Sequence, residues 1–174
     1  MSEQGRDPRD GQSRQRKLGI YLNDHLAGAT AGAALAERMA REHRSSAYRA
    51  DLENLAAEIA RDRRALLRLL ADLDVPARRY KQYGAWLVEK VGRLKPNGRL
   101  LRRSGLSLLL EVETLRLGVQ AKASLWHTLL SASAQDSRLD ADRLEQLLAR
   151  AEQQIKTLDA LHARALSPLL SAAR

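Results

Sequence analysis

Large apolar residues recur along this chain at intervals of three and four, the spacing that aligns side chains on one face of an α-helix. Leu52, Leu55, Ile59, Leu66, Leu69 and Leu73 form one such stripe, with Asp62 in a slot where the pattern calls for a leucine. Leu108, Val112, Leu115, Val119, Trp126 and Leu129 form a second, interrupted by Lys122. A third holds Leu144, Leu148, Ala151, Ile155, Leu158, Ala165 and Leu169, with His162 among them. A fourth holds Leu18, Leu22, Ala29, Gly32, Ala36 and Met39, with His25 among them. The pattern predicts long helices over about 17–43, 45–74, 106–131 and 139–166, each a rod of roughly 40 Å at 1.5 Å per residue. Ser45 or Ser46 is the expected N-cap of the second helix and Asp140 that of the last, while Pro76 and Pro168 predict helix ends. Gly28 and Gly32, four apart amid alanines, predict a close helix–helix contact, because glycine weakens a helix and needs a packing reason.

The links between these helices are unequal, and their lengths predict the topology. Short links join the first helix to the second and the third to the fourth, so each pair makes an antiparallel hairpin. The stretch 76–104 is too long for a tight turn. It reads as a short helix at about 77–93, a turn at Lys95-Pro96-Asn97-Gly98, and a crossover along the length of the molecule. The expected fold is all-α, a four-helix bundle of ferritin-like up-down arrangement with a long crossover, over residues 17–170. Residues 1–16 lack periodicity and read as a disordered tail.

A long crossover makes the second and third helices parallel. Asp62 and Lys122 each lie just past the middle of their helix, so they should meet at one height. A lone buried charge is costly, which predicts a core polar pair between them. The alternatives are that each head group reaches the bundle rim, or that the two serve a ligand or a reaction. His25 should fall near the same layer, and His162 in a second layer near Glu113 and Asp51. Both read as hydrogen-bonded core histidines. His43 and His127 lie at or near helix C-termini, where the helix dipole favours a cation.

Composition narrows the chemistry. Cysteine is absent, which excludes disulfides and thiolate metal sites. Phenylalanine is absent and aromatics amount to 3%, so the core must be built from Leu, Ala, Val and Ile. No apolar run approaches the ~18 residues of a membrane span, and the opening residues lack the apolar stretch of a secretory signal. A cytoplasmic location is the expectation. The net charge of +9 is concentrated in one segment. Arg78, Arg79, Lys81, Lys90, Arg93, Lys95, Arg99, Arg102 and Arg103 stand there against a single acid, Glu89, with Tyr80, Tyr83 and Trp86 interleaved. These cations are candidates for binding anionic lipid or nucleic acid. The alternative is that Tyr80, Leu87, Val91 and Leu94 cover the bundle while the cations face solvent.

Catalytic patterns are missing. There is no Gly-x-Ser-x-Gly elbow, no P-loop and no Gly-x-Gly-x-x-Gly. Glu111 and Glu113 lie two apart on a helix and so do not face each other. The Glu-x-x-His pairs of di-metal bundles are absent too: Glu58 is followed at the third position by Arg61, and Glu152 by Ile155. Asp159-Ala160-Leu161-His162 is the one acidic-x-x-His, which leaves Asp159 and His162 as the only metal-ligand candidates. No catalytic residue and no cofactor is expected.

Tyr21-Leu22-Asn23-Asp24-His25-Leu26-Ala27-Gly28, Glu58-Ile59-Ala60-Arg61-Asp62-Arg63, Trp86-Leu87-Val88-Glu89-Lys90 and Leu115-Arg116-Leu117-Gly118-Val119-Gln120-Ala121-Lys122 together resemble a group of uncharacterised bacterial helical proteins. The likeness covers about residues 17–165, and it implies no activity. In architecture the bundle resembles the ferritin-like superfamily. The expected function is that of a non-enzymatic helical bundle acting through self-association, as a homo-oligomer, or through partner binding. A degenerate ferritin-like metal-binding protein is one alternative. A peripheral binder of anionic lipid or nucleic acid through residues 78–103 is the other.

Overall fold

The computed structural model describes residues 8–77 and 105–171. Four α-helices account for most of them: α1 (Pro8–Glu42), α2 (Arg49–Asp72), α3 (Gly105–Ser133) and α4 (Ala141–Ser171). The fold is an all-α four-helix bundle. α1 lies along α2 and α3 lies along α4, while α1 also meets α3 and α2 meets α4. α2 and α3 therefore occupy opposite corners of the bundle.

Cross-links fix the directions. Arg143 at the start of α4 reaches Asp72 at the end of α2, and Arg164 near the end of α4 reaches Asp51 near the start of α2. Arg38 late in α1 pairs with Glu111 early in α3. Each neighbouring pair is thus antiparallel, so α2 and α3 run parallel, as their sequence pattern predicts. α2 ends and α3 begins at opposite ends of the bundle. The predicted short helix at 77–93, and the nine cations from Arg78 to Arg103, lie outside the described residues.

Leucine dominates the core, with Trp126, Leu22, Leu26, Met39, Leu66 and Leu158 among its largest fully buried side chains. All seven positions of the predicted α2 stripe and all seven of the α3 stripe are buried, Asp62 and Lys122 included. The α4 stripe is corrected by one position. Its buried face runs Leu144, Leu147, Ala151, Gln154, Leu158, Leu161 and Ala165, a strict three-four repeat. Leu148, Ile155 and His162 flank that face and are half-buried.

Helix ends depart from the sequence pattern for identifiable reasons. α1 begins at Pro8, so residues 8–16 are helical and do not form a disordered tail. The Gln15 amide donates to the Leu73 carbonyl across the bundle (2.9 Å), an anchor that local periodicity does not reveal. Neither Ser45 nor Ser46 is the N-cap of α2. Tyr48 occupies that position without a side-chain cap, and Ser46 Oγ accepts the Tyr48 N–H while donating to the His43 carbonyl. Asp140 does cap α4, its Oδ1 accepting the Arg143 N–H at 3.1 Å.

α2 closes on a left-handed residue, Asp74 (φ 55°). The Val75 N–H returns to the Leu70 carbonyl and the Asp74 N–H to Ala71, the paired bonds of a Schellman motif. α4, in contrast, continues through Pro168 to Ser171. A proline has no N–H for the carbonyl four residues earlier, here that of Arg164. The Tyr48 hydroxyl donates to that carbonyl from the α1–α2 loop (3.3 Å), which is how the helix tolerates the proline. The Arg164 guanidinium ties the same corner together, with Nη1 2.6 Å from Asp51 Oδ2, Nη2 donating to the Ala47 carbonyl, and its charge over the Tyr48 ring.

Candidate functional site

At mid-height the apolar core gives way to a polar layer. Asp62 of α2, Lys122 of α3 and Gln154 of α4 are 1%, 9% and 1% exposed. Lys122 Nζ donates to Asp62 Oδ2 at 2.6 Å and to Gln154 Oε1 at 2.5 Å. The Gln154 amide nitrogen donates in turn to Asp62 Oδ2 and to Glu58 Oε2, both at 3.1 Å. Arg150 of α4 brings its Nε to 2.8 Å from Asp62 Oδ1, a charge contact whose angle falls short of a hydrogen bond. Two carboxylates, Glu58 and Asp62, therefore face two cations, Lys122 and Arg150. The cluster is electrically balanced, which is the condition under which charges remain buried. Burial nevertheless holds the Lys122 ammonium below its ordinary range; Asp62 opposes that shift and Arg150 adds to it.

The predicted Asp62–Lys122 pair is thus present. Gln154 is the member that sequence reasoning misses. Once α4 is phased on Leu144, Leu147 and Ala151, Gln154 is the single polar slot of that stripe, just as Asp62 and Lys122 are of theirs.

Asp62 and Lys122 of this layer line a cavity of about 590 Å³ between α1, α2 and α3, which opens to solvent where Gly28, Gly118 and Ala121 are exposed. Gly28, Ala29 and Gly32 line it from α1, Gly118, Val119 and Ala121 from α3, and Ile59, Asp62 and Leu66 from α2. Lys122 and Trp126 face it one helical turn apart on α3. A side-chain carbon added at Gly28, Gly32 or Gly118 would meet nothing within 4 Å. The expected close contact at Gly28 and Gly32 is therefore corrected: these residues border open space, because the facing wall is itself built from small residues. Trp126 is 1% exposed, and its indole N–H has no hydrogen-bond partner among the described residues.

His25 lines the same cavity and packs edge-on against Tyr21, with ring centroids 4.6 Å apart. It is half-buried, and burial lowers its imidazole pKa from the ordinary 6.5, with Asp24 opposing. His162 is half-buried as well and pairs with Glu113 (2.9 Å), while Asp51, its other expected neighbour, is taken by Arg164. Neither histidine is a core residue. For His162 the reason is the corrected phase of α4, which puts Leu161 inward in its place.

Asp159 is bound to Arg116 (2.5 Å), and that hydrogen bond holds its carboxyl below the usual range. Asp159 and His162 thus have separate partners on α3. Among the described residues no group of three or more His, Asp or Glu side chains gathers in a way that could hold a metal ion. Glu111 and Glu113 likewise serve different neighbours, Arg38 and His162.

The outer face of α3 is unusual. Leu106, Leu110 and Leu117 are exposed on the side away from the core. No described helix is long and apolar enough to cross a membrane. No family model, no curated protein and no solved structure matches this chain.

Proposed function

We propose that this protein is a non-enzymatic binding bundle whose α1–α3 cavity takes up a small apolar molecule. The observation that carries this reading is the cavity. Its volume of about 590 Å³ falls in the range of small-molecule sites, and half of its lining is glycine, alanine and leucine, with polar residues that include Asp24, His25, Arg38, Arg63, Asp62 and Lys122. A non-catalytic role is supported by the polar layer, where the charged and amide groups are engaged with one another.

Trp126 offers the test. With Trp86→Phe in place it is the only indole, and it lines the cavity. Titration with decane or a short aromatic hydrocarbon should change its fluorescence saturably. A linear, non-saturating response would contradict the reading.

A second reading is self-association through the outer face of α3. A helix that is apolar on both faces is one that gets covered on both, and Leu106, Leu110 and Leu117 supply the outer apolar face. If a second copy covers it, Leu110→Gln with Leu117→Gln should shift the sedimentation of the protein to that of a monomer. The metal-binding alternative has less support, since Asp159 and His162 have other partners, and the anion-binding alternative rests on residues 78–103. Kinship with ferritin-like bundles rests on connectivity.

A further inference from the structure

Two buried donors four residues apart on α3 line the cavity with hydrogen-bonding capacity to spare. One is the Trp126 indole N–H, which has no acceptor among the described residues although the residue is 1% exposed. The other belongs to Lys122. An ammonium has three N–H groups, and the bonds to Asp62 and Gln154 use two of them. Lys122 is 9% exposed, so water reaches it poorly. Both residues line the cavity, four apart on α3 and so one above the other. Buried polar groups in folded proteins are almost always paired, and an unpaired indole N–H beside a spare ammonium N–H calls for an acceptor in the cavity.

Charge decides what kind of acceptor. Glu58 and Asp62 already balance Lys122 and Arg150. Arg38, Arg41 and Arg63 also line the cavity, but Arg38 is paired with Glu111, Arg41 with Glu37, and Arg63 donates to Thr30. An anionic head group between Lys122 and Trp126 would instead lie beside the Asp62 carboxylate, in a cluster whose charges already cancel. A neutral oxygen accepts from both donors and leaves the balance intact. We infer that the cavity selects an uncharged apolar molecule bearing a carbonyl-type oxygen (an ester, a ketone or a quinone), seated with that oxygen between Lys122 Nζ and Trp126 Nε1. This inference rests on the cavity being a ligand site, and its test separates the two.

The test compares decane, methyl decanoate, a methyl ketone of equal length, and decanoate at a pH where it is ionised. The readout is the ligand-induced rise in the melting midpoint by circular dichroism, which needs no indole signal. The ester and the ketone should bind on the order of ten-fold tighter than decane, equivalent to about 1.4 kcal/mol, and decanoate more weakly than the ester. Trp126→Phe deletes the donor and keeps an aromatic ring; it should bring the ratio of ester to decane affinity, measured in the same variant, close to one. Equal binding of all four ligands, tightest binding of decanoate, or an unchanged ester preference in Trp126→Phe would each overturn the carbonyl inference and leave the cavity reading in place. Absence of binding by any of the four would overturn both.

Discussion

Lys122 Nζ stands 2.6 Å from Asp62 Oδ2, joining two helices that occupy opposite corners of the bundle. α2 and α3 do not pack on each other directly, so this ion pair, with Gln154 beside it, spans the centre of the molecule. It also explains how two charges persist in a leucine core. Asp62 Oδ2 and two of the three ammonium protons have hydrogen-bond partners, Asp62 Oδ1 has the Arg150 charge beside it, and the four formal charges sum to zero.

The cluster should respond to mutation as a unit. Lys122→Met alone strands the Asp62 carboxylate and should cost about 3–5 kcal/mol in denaturant unfolding. Adding Asp62→Leu removes the stranded charge but leaves the buried Gln154 amide without its main partners. The triple variant with Gln154→Leu should recover most of the loss, because well-packed apolar residues replace buried ion pairs at little or no cost. Arg150 and Glu58 are only partly buried and can turn to water. Equal stability of the single and triple variants would mean that the cluster is solvated and uncoupled.

The Asp62 and Lys122 slots were legible in the sequence for a simple reason: one charged residue in an otherwise apolar heptad stripe has few places to go. Parallel α2 and α3 followed from loop lengths. Gln154 was not legible at the same level, because Leu147 and Leu148 allow two phases for α4 and a glutamine is less conspicuous than a charge. The phase became unambiguous only when α4 was laid against α3. The glycines of α1 show a different limit. Small residues on one helix indicate that something large could fit there, but whether a partner helix fills the space depends on the facing wall, where Gly118 and Ala121 are small too. The start of α1 was hidden because a polar stretch with Gly11 has no apolar period, while its anchor, Gln15 on the Leu73 carbonyl, is 58 residues away in sequence.

Tyr48→Phe tests how α4 survives its proline. The hydroxyl is a hydrogen-bond donor to the Arg164 carbonyl that Pro168 leaves without its helical partner. Its removal should destabilise the protein by about 0.5–1 kcal/mol and speed amide exchange in the last turn of α4. The ring stays in place, so the contact with the Arg164 guanidinium is kept. Unchanged exchange at the end of α4 would argue that water serves that carbonyl equally well.

His25 gives a pH dependence with a definite sign. Burial depresses its pKa in the folded protein below the ordinary 6.5. Between those two values the unfolded chain binds more protons than the folded one, so stability falls as pH drops from 6.5 toward the depressed value, then levels off. Above 6.5 the residue contributes no pH dependence. His25→Gln should therefore melt with a smaller loss between about pH 7 and pH 5 than the parent protein, since this titration is gone. An identical pH profile would place His25 in full contact with solvent.

The central claim is that the space between α1 and α3 is a ligand cavity, and filling it tests that claim most directly. Gly32→Leu and Gly118→Leu enter from opposite walls, where an added side chain meets open space. Each also replaces a helix-interior glycine, a change worth up to about 1 kcal/mol in helix propensity. The doubly substituted protein should melt at or above the temperature of the parent and should no longer bind methyl decanoate. A stable variant that binds the ester as well as the parent does would contradict the account.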